Sequence, residues 1–219
     1  VSINPTTFTC AEQNGQDITI TATDAAGNQS TAIETVVILD QTAPTPEARD
    51  ISITLDANGA ATVDPASVDD GSFDNCSSNL SFSLAQTAFT CTDLGVKTVE
   101  FTVRDEDRGV NASTNVTITV EDLIDPIVVA QDITVELVPG NNPVTVDPID
   151  VDNGSSDNCS FTLSLDKTNF TSAELGSKMV TLTATDASGN SASTMATLTI
   201  VEGKQTQTIT FSSLPDVIY

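Results

Sequence analysis

Apolar and polar residues alternate with a period of two along most of this chain. Ile51-Ser52-Ile53-Thr54-Leu55, Val99-Glu100-Phe101-Thr102-Val103 and Val116-Thr117-Ile118-Thr119-Val120 each gather their apolar side chains on one face. That alternation predicts strands buried on one side. Asn58-Gly59 and Asn141-Asn142-Pro143 are turn signals between such runs, and no segment sustains a helical period. About seven short strands per unit, with turns every 8–12 residues or so, predict an all-β fold of tandem immunoglobulin-like β-sandwich domains. A small closed barrel is the alternative.

The pattern is duplicated. Phe8-Thr9-Cys10 returns as Phe89-Thr90-Cys91 and as Phe170-Thr171-Ser172, at an interval of 81 residues both times. Val63-Asp64-Pro65 returns as Val146-Asp147-Pro148, and the run from Val68 to Cys76 returns from Val151 to Cys159, both at 83. Thr23-Asp24-Ala25-Ala26-Gly27-Asn28 matches Thr185-Asp186-Ala187-Ser188-Gly189-Asn190. Several blocks in one fixed order mark a repeated domain of about 80 residues, a usual domain size. Phasing the copies predicts the C-terminal part of a repeat at 1–43, complete repeats at 44–125 and 126–203, and the start of a further β domain at 204–219. Half a sandwich cannot bury its own face, so the native polypeptide is expected to extend beyond both ends.

Composition narrows the function. The 219 residues carry 31 acidic and 7 basic side chains and no His, for a formal net charge of -24. Nucleic-acid binding needs a basic footprint, so it is excluded, and anionic membranes are disfavoured. No apolar run approaches the ~20 residues of a membrane span, so no direct membrane insertion is expected. With aromatics at 4% and no Trp, the cores must be small and built from β-branched residues that suit a pleated surface. No signal peptide is visible, which we read as a fragment or a processed chain. Asn-x-Ser/Thr sequons such as Asn111-Ala112-Ser113 matter only where the source glycosylates Asn.

Four cysteines in an extracellular repeat suggest disulfides. Cys76 and Cys91 are 15 residues apart within one copy, and the expectation is that they pair, worth about 3 kcal/mol for a loop of that size. Cys10 occupies the Cys91 position, so its partner is expected upstream of Val1. Cys159 occupies the Cys76 position, but Ser172 stands where its partner would be. It is expected to be a free, buried thiol. No His is present to activate it as a nucleophile, and the chain is expected not to be an enzyme.

Acidic residues recur where repeats adjoin. If the strand run at 50–55 travels away from the preceding repeat, the run at 97–104 travels back. The loop Asp69, Asp70 and Asp74 then meets the loop Asp105, Glu106 and Asp107, together with Asp40 of the linker. At the next boundary Asp122 and Asp125 meet Asp152 and Asp157, then Asp186 and Asn190. Three carboxylates brought together without a cation repel. Calcium, with 6–8 oxygen ligands, suits such a set; Mg²⁺ suits it less, and zinc lacks His or paired thiolates. The bland reading is that Asp and Asn form turns. The loop from Asp105 to Asn111 is one residue longer and lacks Gly-Asn, so its site is the less certain. The third boundary, Glu202-Gly203-Lys204, lacks a proline and is expected to be looser or to lead into another domain type.

The blocks Asp-Asn-Gly-Ser-x-Asp-Asn-Cys, Leu-Gly and Thr-Asp-x-x-Gly-Asn, with the Asp-x-x-x-Pro linker, resemble hyalin-type (HYR-like) and bacterial Ig-like repeats over about residues 1–203. Such repeats occur in very large surface adhesins of Bacteroidota, including gliding-motility adhesins. The tail Gln207-Thr208-Ile209-Thr210-Phe211 with Leu214-Pro215 and Tyr219 is similar to the opening of an MBG-type repeat. The resemblance implies surface display, an Ig-like fold and interdomain calcium, carried over onto Asp40, Asp69, Asp74, Asp105, Asp122, Asp152, Asp157 and Asp186. It implies an extracellular stalk or filament segment whose partners are neighbouring repeats, with any surface glycan or protein bound by distal domains. The alternatives are carbohydrate-binding modules, disfavoured because Phe73 is the one aromatic in the repeated loops, and spacers of a secreted hydrolase. An acid pair such as Asp69/Asp70 could imitate a glycosidase dyad, but a linker-facing loop offers no cleft.

Overall fold

The computed structural model describes residues 1–138, 143–204 and Ile209. The expected turn at Asn141-Asn142 and the expected β domain start in 204–219, Lys204 and Ile209 apart, lie outside these residues. The chain divides into two compact units: Val1–Leu55 with Ala60–Glu121, and Asp56–Gly59 with Asp122–Tyr219.

The first unit opens with three antiparallel strands in spatial order, β1 (Ser2–Asn4), β2 (Gln16–Thr23) and β3 (Gln29–Val36). Within this sheet Ile18 is the buried hydrophobic residue. The same unit then builds a sandwich. Strands β4 (Ile51–Thr54), β6 (Leu80–Leu84), β8 (Gly95–Asp105) and β9 (Asn111–Glu121) form one sheet in the order β4-β9-β8-β6, while β5 (Ala60–Thr62) pairs with β7 (Ala88–Thr90). The period-two pattern does what it predicts: Val99, Phe101, Val103, Val116, Ile118 and Val120 are buried at alternate positions. Phe101 stacks on Phe82 at 5.8 Å between centroids, and Phe89 of the small sheet is fully buried. Strand β4 is parallel to β9, and β8 antiparallel to it, so β8 runs opposite to β4, as the sequence reading requires.

The second unit repeats this plan. Strands β10 (Ile133–Leu137), β12 (Phe161–Leu165), β14 (Gly176–Asp186) and β15 (Ser191–Glu202) form a sheet in the order β10-β15-β14-β12, and β11 (Val144–Thr145) pairs with β13 (Asn169–Phe170). Its core joins Val135, Leu137, Val146, Val151, Phe170, Val180, Leu198 and Ile200. The Val-Asp-Pro block has a local job in both copies. Asp64 caps the 3-10 turn Pro65–Val68, and Asp147 caps the four-residue helix Pro148–Val151. Asp accepts the free N–H groups of the turn while Pro, which has none to lose, takes its first position. Each turn buries its valine, Val68 or Val151, as a plug in the sandwich.

Candidate metal centres and their disulfide anchors

Two groups of three carboxylates assemble, Asp40 with Asp74 and Asp105, and Asp122 with Asp157 and Asp186, each with ligand atoms within 4.8 Å of one another. The members are equivalent by repeat. Asp40 and Asp122 follow the last strand of a copy. Asp74 and Asp157 lie in the Asp-Asn-Cys loop, and Asp105 and Asp186 end the long strands β8 and β14. Four of the six are nearly inaccessible: Asp105 is 0% exposed, Asp122 2%, Asp186 7% and Asp40 8%.

Every carboxylate of the two groups but Asp186 is held by one oxygen. Asp40 Oδ1 accepts the Thr42 backbone N–H at 3.0 Å. Asp74 Oδ1 accepts those of Cys76 at 2.9 Å and Ser77 at 3.0 Å, and Asp105 Oδ1 that of Asp107 at 2.8 Å. The other oxygens, Asp40 Oδ2, Asp74 Oδ2 and Asp105 Oδ2, are buried and accept no hydrogen bond. The Thr42 N–H also holds the Asp40 carboxyl below its ordinary pKa, against burial, which pushes it up. In the second cluster Asp122 Oδ1 accepts from Ile124 N–H and Asn158 Nδ2, and Asp157 Oδ2 from Cys159 N–H. Asp122 Oδ2 and Asp157 Oδ1 accept none. Asp186 differs: Oδ1 takes the N–H groups of Ser188, Gly189 and Asn190, and Oδ2 takes Asn190 Nδ2, which also donates to the Asp122 carbonyl.

Buried carboxylate oxygens without donors are costly, and turn formation alone does not produce them, because a turn uses only the oxygen that accepts the N–H. An all-oxygen donor set of this kind fits a hard cation such as calcium. The expected residues divide accordingly. Asp40, Asp74, Asp105, Asp122, Asp157 and Asp186 are brought together, and Asn190 braces the second group. Asp69 and Asp152 instead close turns onto the N–H groups of Gly71 and Ser72, and of Gly154 and Ser155. Asp107 accepts from Ser77 and Asn79 side chains. Asp70 donates its N–H to the Glu47 carbonyl, and Asp125 lines a small cavity with Ala57, Ile124 and Ile127; neither belongs to a cluster.

The cysteine expectations are overturned. Cys76 is bonded to Cys10, 66 residues away, with a Cα–Cα distance of 5.1 Å. Cys76 therefore does not pair with Cys91, and Cys10 needs no partner upstream of Val1. Cys91 and Cys159 are disulfide-bonded as well, so Cys159 is not a free thiol, and among the described residues no cysteine is free. Strand direction explains the correction. Cys91 stands just before Gly95, the first residue of β8, whereas the Cys76 loop meets Asp105, the last. Ten strand steps of ~3.3 Å separate these ends by roughly 33 Å, far beyond the ~7 Å that a disulfide spans. The actual bond ties the first repeat copy to the second, worth about 4 kcal/mol in the chain-entropy treatment.

One further local signal lies in the turns that carry these cysteines. Thr9-x-x-Glu12, Thr90-x-x-Asp93 and Thr171-x-x-Glu174 are capping boxes around the turns Cys10–Glu12, Cys91–Asp93 and Ser172–Glu174. Each fixes the direction in which the cysteine, or its serine substitute, is presented.

No protein-family model matches the chain, and no curated protein matches it. Among solved structures it is similar to the protocadherin gamma B7 extracellular cadherin domains 1-4 at 14% identity and a TM-score of 0.36, covering 89% of this chain and 59% of that one. Mouse cadherin-23 EC22-24 matches at 14% and 0.37, covering 90% and 78%. An endo-fucoidan hydrolase of glycoside hydrolase family 107 matches at 13% and 0.29, covering 89% and 35%. The chain thus spans less than two thirds of the gamma B7 fragment, and these likenesses are of fold alone.

Proposed function

We propose that this chain is a non-catalytic segment of an extracellular structural array, in which successive β-sandwich repeats are fastened by calcium as part of a surface adhesin stalk. The observation that carries this reading is the set of buried Asp oxygens that accept no hydrogen bond, at equivalent positions of two successive repeats. The disulfide engagement of all four cysteines fits an oxidising compartment, and the likeness of the repeat blocks to HYR-like and bacterial Ig-like repeats points the same way. Asp40, Asp74 and Asp105 would hold one ion, and Asp122, Asp157 and Asp186 another. The ion would neutralise carboxylates that a net charge of -24 otherwise sets against one another.

Extracellular modules bind Ca²⁺ with Kd near 10⁻⁴–10⁻³ M, and each site contributes about 2.7 kcal/mol at a hundredfold excess over Kd. Thermal unfolding in millimolar Ca²⁺ and in EDTA tests the proposal. Melting should rise by several degrees with Ca²⁺ and less with equal Mg²⁺; identical curves in both buffers would remove the metal from the account. Among the described residues, binding of glycans by the domains themselves has one large exposed aromatic in its favour, Phe73, which is 56% exposed. A glycan array probed with the whole chain should stay blank.

A further inference from the structure

We infer that the Cys10–Cys76 disulfide is the positioning element of the first cation cluster, so that the state of this bond and the affinity for the cation are linked in both directions. The inference rests on the cation reading above and adds to it what holds the site together.

Asp40 and Asp105 have firm supports: Asp105 closes the eleven-residue strand β8, and Asp40 is fixed by Thr42. Asp74 has no strand beneath it. It lies in the stretch between the turn Pro65–Val68 and β6, where bridges tie Asp69 to Ala48 and Phe73 to Thr45. Beyond Phe73 the chain is irregular until Leu80. The Asp74 carboxylate is oriented by two N–H donors in that irregular stretch, Cys76 and Ser77. Cys76 is also the residue fastened to Cys10, and Cys10 Sγ lies 3.3 Å from the Asn75 carbonyl. Cys10 is itself the first residue of a turn whose N-cap, Thr9, and last residue, Glu12, form the capping box. Thus one of the two N–H groups that hold Asp74 Oδ1, and so aim Oδ2 into the cluster, belongs to the cross-linked residue, and the other to its neighbour.

The second cluster repeats the device. Cys159, also disulfide-bonded, donates its N–H to Asp157 at 3.1 Å. Asp-Asn-Cys is therefore one unit in both copies: a carboxylate that faces the cation, and two residues on a covalent anchor whose N–H fixes it. Pre-organisation raises affinity by removing the cost of ordering the loop, and reciprocity requires the cation to favour the oxidised bond by the same factor.

The test uses the whole chain carrying Asp157→Asn, which silences the second cluster. Calcium titration by calorimetry should give an affinity about tenfold lower when Cys10→Ser and Cys76→Ser are added, within the usual range of coupling. The reciprocal measurement needs no cysteine variant. The chain is equilibrated with a dithiol and its cyclic disulfide, each reduction passing two electrons and two protons to the bond, and Cys10 and Cys76 are quantified by differential alkylation and mass spectrometry. At saturating Ca²⁺ the ratio of reduced to oxidised bond should fall by the same factor. Equal calcium affinity with and without the bond overturns the inference while leaving the cation site standing, as does a reduced fraction indifferent to Ca²⁺. If the chain with both cysteines takes up no calcium at all, the proposed function fails first. If the serine variant does not fold, the alkylation ratio alone decides.

Discussion

The two carboxylate clusters occupy equivalent positions but solve the same electrostatic problem by different means. In the second, Asn190 places one Nδ2 between the Asp186 carboxylate and the Asp122 carbonyl, so two acceptors are answered by a side chain. In the first, that position is taken by Val110: Asp105 N–H donates to the Val110 carbonyl as Asp186 N–H does to Asn190. Three Asp oxygens are left without donors in the first cluster and two in the second. Hydrogen-bond donors and a cation are interchangeable ways of compensating a buried anion. A cluster poor in donors must depend more on the ion. The longer loop at Asp105, which made this site look weaker in sequence, has cost it the internal brace, not the carboxylates.

The largest break in this comparison should come from removing one charge at equivalent positions. With Asp105→Asn, the amide oxygen can keep the Asp107 N–H, and the new NH₂ faces the oxygens of Asp40 and Asp74. In EDTA this variant should be more stable than the parent, on the order of 1–3 kcal/mol. It should also lose the calcium-dependent gain at that cluster, about 2.7 kcal/mol at a hundredfold excess over Kd. With Asp186→Asn the new NH₂ meets the NH₂ of Asn190, donor against donor. Stability in EDTA should therefore fall, by about 1–2 kcal/mol. Urea unfolding of both variants in EDTA reads the sign directly, and gains of equal sign would remove the distinction drawn between the clusters.

A smaller effect follows from exchanging the brace itself. Val110→Asn offers the first cluster the amide that it lacks, and Gly109, with φ +75° like Gly189 at +95°, keeps the loop turn that the exchange requires. In EDTA this variant should gain about 1 kcal/mol, the low end of the net value of a hydrogen bond to a charged group. Its response to Ca²⁺ should shrink. Asn190→Ala should do the reverse at the second cluster, leaving Asp186 Oδ2 bare and enlarging the response. Melting in EDTA and in Ca²⁺ gives both differences.

Much of this is legible in the sequence. The strands, the duplication and the meeting of three acidic segments all follow from the period of two and from counting strand directions. That argument located Asp40, Asp74 and Asp105 together, and Asp122, Asp157 and Asp186. It could not separate ligands from turn formers, because Asp69 and Asp74 differ only in whether a second oxygen is left facing other carboxylates. The cysteines differ from their expected pairing for another reason. Strand direction governs Cys76 and Cys91 as it does the acidic loops, and their proximity in sequence is not proximity in space. Carried through, the same argument places Cys91 at the far end of β8 and turns Cys10 towards the copy that follows it.

A third instance of the Asp–Asn brace sharpens the comparison at its weakest effect. Asp24 Oδ1 accepts the N–H groups of Ala26 and Asn28, and Oδ2 accepts Asn28 Nδ2 at 2.8 Å, the arrangement of Asp186 with Asn190. Here the box is exposed and belongs to neither of the two clusters. The Asn28 side chain, followed by its backbone N–H, holds the Asp24 carboxyl below the ordinary value. The linkage sign follows: a depressed carboxyl contributes stability that is fully present above the unfolded value of about 3.9 and is lost as pH falls through the folded one. Carbon-detected NMR titration should therefore find Asp24 titrating below that reference, and Asn28→Ala should bring it back up, with little change in melting at pH 7, because the group is solvated. If Asn28→Ala leaves the Asp24 titration where it was, the amide is not what steadies the charge, and the contrast between Asn190 and Val110 loses its physical basis.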